Sequence, residues 1–219
     1  MNLQQFAQTC VLAKVMLFGE SHDDPSDARS VLQIVNIFEL RGHALSFYFE
    51  HFPGEEMNAA LGMVSSGRLT PQDFLQTLKF DLLTFQGEKR LTPEEYWEHP
   101  AESQKLIALM RYAQQHYIPL AGHDVYQTDF SREGTRDWNA QRDTAMVAKM
   151  VQDRGGARSG LQVGFLGKLH VLPQAAMLRG QYFRRAGEVI TLIPMPRDAG
   201  GLAIVPNPEG GADDYLFTR

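Results

Sequence analysis

The sequence predicts an α/β fold of three layers, a mostly parallel central sheet with helices on both faces and a small helical insertion. Two observations carry this expectation. Segments that read as strands alternate along the chain with segments that read as helices. The strand segments are also continuous apolar runs, as "KVMLF" and "LQVGFL" show, rather than in-and-out alternations, which is the pattern of strands covered on both faces. At 219 residues and 43% hydrophobic, the chain is long enough for one domain (1–219) with a sizeable core.

The elements follow in order. Residues 13–18, "AKVMLF", read as a buried strand that Gly19 ends with a sharp turn. A helix is expected over 25–42: Pro25 suits its first turn, Asp27 suits the positive helix start, and Gly42 suits the stop. "ALSFYFEHF" (44–52) is a second strand. Residues 53–100 hold helical fragments and turn signals, and are expected to form a helical insertion or cap, with Thr70 and Thr92 as N-caps before prolines. A helix over 102–117, a strand over 118–124 and a helix over 135–156 follow. Residues 161–171 contain a fourth strand, 173–180 a short helix with Pro first and Gly last, and 188–194 a fifth strand. "LAIV" near the end reads as an edge strand.

Composition excludes several functions. The net charge is −5 and basic residues form no run, which argues against a nucleic-acid partner or an anionic membrane surface. No apolar run reaches the ~20 residues of a membrane span. No signal peptide or lipidation site is read at the start, so a cytoplasmic location is expected. The single cysteine, Cys10, precludes a disulfide framework and lies away from the strand exits, so it is not expected to be a nucleophile. Ser21 lacks a nucleophile elbow, and no phosphate-binding glycine loop points to a nucleotide cofactor.

The strand exits carry the chemistry. The first leads into Glu20 and His22, the second into Glu50 and His51, the third into His123 and Asp124, and the fourth, past Gly167, into His170. In an open parallel sheet every strand C-terminus lies on one edge, where ligands bind. Four segments therefore bring carboxylates and imidazoles to one rim. Asp23 and Asp24 read as dipole partners of the following helix, while His43, His99 and His116 lie away from these exits. Carboxylate with neutral imidazole suits a divalent metal such as Zn, Mn, Fe or Co, with Glu20, His22, His123 and His170 as ligands. The same residues suit direct activation of water by a Glu base with a His partner. Both chemistries stay open at this point.

These residues resemble the ChaN-like family, in the superfamily that also holds the Tiki proteases and erythromycin esterases. The likeness lies in "VMLFGESHDDPSDARSVLQ" with Gly19, Glu20, His22, Asp23, Arg29 and Gln33. It continues in "FYFEHF" with Glu50 and Phe52, in "QRDTAMVAKM" with Arg142, Asp143 and Met146, and in "GKLHV" with Gly167, His170 and Val171. The ending "DDYLFTR" is also similar. The sequence departs from the family pattern at Leu169, His51 and His123.

The resemblance implies either a hydrolase or a haem binder. As a hydrolase of an ester, lactone, amide or peptide bond, the chain would use Glu20 as base or metal ligand and His22 as its partner. Glu50, His123 and His170 would complete the site, and His51 would add an imidazole to the rim. Arg29 would stabilise an oxyanion or orient Glu20, and Arg142 and Asp143 would form a supporting ion pair. The insertion would cap the site, with Phe80, Phe85, Tyr96 and Trp97 either lining a substrate pocket or packing its own core. The partner would then be a small-molecule or peptide substrate. The alternative is a haem or iron binder with a His or Tyr ligand.

Overall fold

The structure is a computed structural model that describes residues 1–20, 26–77, 100–124, 136–154, 160–195 and 202–218. Its elements are α1 (Leu3–Thr9), β1 (Val15–Glu20), α2 (Ser26–Glu39), β2 (Leu45–Pro53), α3 (Gly54–Ser65), α4 (Pro71–Thr77) and α5 (Pro100–Gln115), then β3 (Leu120–Asp124), α6 (Arg136–Asp153), β4 (Leu161–Gly167), α7 (Lys168–Gln181), β5 (Val189–Pro194), β6 (Ile204–Pro206) and β7 (Asp214–Phe217). The seven strands form one sheet in the order β3-β2-β4-β1-β5-β7-β6. Every pairing is parallel except that of β6 with β7. This is the predicted three-layer α/β architecture.

Strand alternation assigns each side chain to a layer. Met16, Phe18, Phe47, Phe49 and Phe165 join one core with residues of α1 to α5. Val15, Leu17, Tyr48, Ala121 and Leu166 join a second core with residues of α6 and α7. Apolar residues of α3 and α4, from Met57 and Leu61 to Phe74 and Leu75, belong to the first of these cores. They carry the first part of the segment read as an insertion, whereas residues 78–99, with Phe80, Phe85, Thr92, Tyr96, Trp97 and His99, lie outside the described residues. Thr70 does cap α4: its Oγ1 accepts the Asp73 N–H at 3.0 Å.

Three local expectations change. β1 does not end at Gly19 but runs through it to Glu20. Packing does not demand the glycine, because a Cβ there would make ordinary contacts of 3.4 Å with Lys168 and Val171 of α7. The last helix begins at Lys168 rather than Pro173, which lies inside it. Pro173 has no N–H to donate to the Leu169 carbonyl, and Leu169 is 76% exposed, so the lost bond falls on the solvent side of the helix. The tail supplies two strands, β7 inserting between β5 and the edge strand β6. Gly42 meets its expectation: its φ of 84° stops the chain after α2. Among the described residues no helix is long and apolar enough to cross a membrane.

His123 lies inside the second core with no exposure, edge-on to Tyr48 at 5.8 Å between ring centroids. Burial pushes its pKa down to about 3, so it is neutral in the folded protein. In the unfolded chain an imidazole titrates near ~6.5. Below that pH the unfolded state takes up a proton that the folded state refuses, so stability falls as pH drops from about 6.5 toward 3, by on the order of 1.4 kcal/mol per unit. His123→Gln is expected to flatten this fall in urea unfolding between pH 6.5 and 4. An unchanged slope contradicts the neutral assignment.

Candidate active site

The C-terminal edge of the sheet carries two ionic assemblies, one on each face. On the face covered by α6 and α7, Glu50 leaves β2 on the same side as Tyr48. Its Oε2 accepts the Gly167 N–H at 2.6 Å, where β4 gives way to α7. A carboxylate is well placed there, against the positive end of a helix whose N-cap Gly167 makes no side-chain cap bond. Glu50 Oε1 faces Arg142 at 3.1 Å and His170 Nε2 at 3.4 Å.

His170 sits in the first turn of α7 and is 8% exposed. Its Nδ1–H donates to Asp143 Oδ1 at 2.8 Å, and Gln174 Nε2 donates to the same oxygen at 2.9 Å. The imidazole is thus held between two carboxylates. Burial alone would lower its pKa, but the Asp143 hydrogen bond and the charges of Glu50 and Asp143 outweigh both burial and the repulsion of Arg142. The net shift is upward. The imidazole is thus fixed in orientation, and its charged form is stabilised.

Arg142 braces the assembly. Its Nε and terminal nitrogen donate to Asp124 at 3.1 and 2.5 Å, the same terminal nitrogen reaches Glu50, and its guanidinium lies 4.6 Å over the Trp138 ring. Burial disfavours its charge, yet the two carboxylates hold its pKa above the ordinary value. Arg142 and Asp143, expected to pair with each other, serve different partners: consecutive helical positions point about 100° apart.

On the other face, Glu20 ends β1 and pairs with Lys105 of α5 at 2.8 Å. Their side chains are 5% and 2% exposed. Sequence reading did not single out Lys105. The signal was present, because it is a cation on the buried stripe that also carries Leu106, Leu109, Met110 and Ala113. In register, Glu20 lies opposite Gly167, so the two assemblies flank the end of β4, where a glycine presents no side chain.

The remaining predicted residues disperse. Arg29 is exposed and lines a groove between α2 and α5 with Gln33, Gln104 and Tyr112. His123 is in the core, and its Nε2–H donates to the Met146 carbonyl at 3.0 Å, which removes it from the rim. His22 and the side chain of His51 lie outside the described residues. Among the described residues no group of three His, Cys, Asp or Glu is placed to hold a metal ion. Glu20 is paired to an ammonium, His123 is buried, and His170 donates to a carboxylate, so these three do not assemble as ligands. Cys10 is buried, and burial, followed by the charge of Asp213, pushes its thiol up to about 12; it stays protonated.

No protein-family model matches the chain, and no curated protein matches it in sequence. Solved structures similar in fold include two that align over most of both chains. The type III effector HopBA1 aligns with a TM-score of 0.64 and 10% identity over 93% of this chain and 86% of its own. ChaN of Campylobacter jejuni, whose structure shows cofacial heme binding, aligns with a TM-score of 0.58 and 11% identity over 100% of this chain and 92% of its own. The chain therefore has a ChaN-like fold, and the likeness extends to fold alone.

The brace makes its own prediction. Arg142→Met removes the guanidinium that Glu50 and Asp124 share, and is expected to cost about 1.5–3 kcal/mol in urea unfolding at neutral pH. A loss below ~1 kcal/mol would mean that water, rather than Arg142, carries these carboxylates.

Proposed function

We propose that the protein is a hydrolase of the ChaN-like and erythromycin esterase-like superfamily, cleaving an ester, lactone, amide or peptide bond with water. The observation that supports this reading best is His170, held by Asp143 at 2.8 Å and facing Glu50 at 3.4 Å, with its pKa raised. An imidazole whose charged form is stabilised in this way holds a proton that it can supply to a leaving group.

In this reading Glu20 takes a proton from water as the oxygen attacks the substrate carbonyl carbon. The carbonyl electrons move onto oxygen to form a tetrahedral intermediate. When that intermediate collapses, the bond to the leaving oxygen or nitrogen breaks and His170 Nε2 supplies its proton. Asp143 keeps Nδ1 protonated, which leaves Nε2 beside Glu50, and Glu50 stabilises the imidazolium. Arg142 fixes Glu50. His22 is the further candidate of this site, one residue beyond Ser21 from Glu20.

Haem is the second reading, favoured by the fold likeness to ChaN. At the rim the described imidazoles do not fit an axial ligand. His123 has no exposure, and His170 is enclosed by two carboxylates where a porphyrin needs apolar walls. A visible-range haem titration separates the readings: a Soret shift that persists in His170→Gln favours the second.

A panel of chromogenic esters, lactones and peptides tests the first. His170→Gln is expected to lower the hydrolytic rate by about 100-fold or more. Asp143→Asn removes the hydrogen bond that raises the His170 pKa, so the alkaline limb of the pH–rate profile is expected to move to lower pH. A His170→Gln rate within about tenfold of wild type contradicts the acid role.

A further inference from the structure

Lys105 is a buried cation that the proposed reaction does not use. It projects from α5 into the core layer, on the helix stripe that otherwise carries Leu106, Leu109 and Met110, and is 2% exposed. Placing an ammonium there costs several kcal/mol unless it is paired. A leucine or methionine at this position would pack the layer at no such cost. The ammonium reaches the Glu20 carboxylate at 2.8 Å. Glu20 closes the central strand β1, opposite Gly167, whose N–H holds Glu50. Lys105 is thus one side chain removed from the rim, on the face opposite the His170 assembly.

We infer that Lys105 is a positioning residue of the rim site, acting through Glu20: the ion pair fixes the rotamer of that carboxylate so that one edge of it is presented beside the end of β4. The inference rests on the reading above, in which Glu20 handles the attacking water. Each face of the sheet then has its own brace, Arg142 for Glu50 and Lys105 for Glu20. The two braces come from different helices, so the two carboxylates are set independently.

A double-mutant cycle with Glu20→Gln, Lys105→Met and the pair of changes together tests this, with His170→Gln as the separate control on the reaction itself. If Lys105 acts through Glu20, Lys105→Met lowers kcat by about tenfold or more while KM stays within about twofold, and Lys105→Arg restores part of the loss. The double variant is then no slower than Glu20→Gln alone. The inference is overturned if Lys105→Met leaves kcat within about twofold of wild type, or if the two losses multiply in the double variant. A hydrolytic rate that His170→Gln leaves unchanged overturns the reading of the site instead. Urea unfolding provides a readout independent of substrate. Each single change strands a buried charge, so the double variant is expected to be more stable than Lys105→Met. If Lys105→Met does not fold and the double variant does, the pair is upheld; if neither folds, or the losses add, Lys105 serves packing and the inference falls.

Discussion

Glu50 connects three elements through two oxygens. One oxygen accepts the backbone N–H of Gly167, at the point where β4 becomes α7; the other meets Arg142 of α6 and His170 of α7. That single carboxylate ties β2 to the start of the helix that carries the imidazole, and to the helix that carries the cation. A carboxylate largely withdrawn from water is costly unless its charge and lone pairs are met. Here they are met by a backbone donor, a guanidinium and an imidazole. The arrangement holds the start of α7 at the sheet edge.

The parallel sheet gives this arrangement its logic. Parallel pairing from β3 through β5 puts the ends of five strands on one edge, and strand alternation sends the side chains of Glu20 and Glu50 to opposite layers there. Glu50 and Asp124 serve the α6–α7 side, while Glu20 serves the α5 side. Glu50 and Asp124 share Arg142, and Glu20 has Lys105, so the ionic groups at the rim are preassembled rather than left to solvent. Preassembly is the property that an acid–base site needs, because dipoles and charges already in place need not reorganise during reaction.

Much of this was legible in the sequence. Continuous apolar runs separated by helical segments specified a covered parallel sheet, and marking the ionisable residues at the run ends located Glu50, Asp124 and His170 on one edge. What the sequence concealed is geometric. His123 and Asp124 are adjacent, yet one is in the core and the other pairs with Arg142, and that division depends on strand register. Arg142 and Asp143 are adjacent as well, yet helical pitch sends them to different partners. β7 is four residues long, too short for periodicity to identify. Pro173 suggested a helix start that the chain places five residues earlier, with the consequence that His170 belongs to the first turn of α7 rather than to a loop. Lys105 was visible only as an exception to an apolar stripe.

The central claim is that His170 is a proton-holding imidazole, locked by Asp143 and charged by its surroundings. Its most direct test is the nitrogen NMR titration of histidine-labelled protein, with His170 assigned by the resonance lost in His170→Gln. The account predicts a neutral form protonated at Nδ1 and a midpoint above the ordinary ~6.5. A midpoint at or below that value, or a neutral form protonated at Nε2, would contradict it.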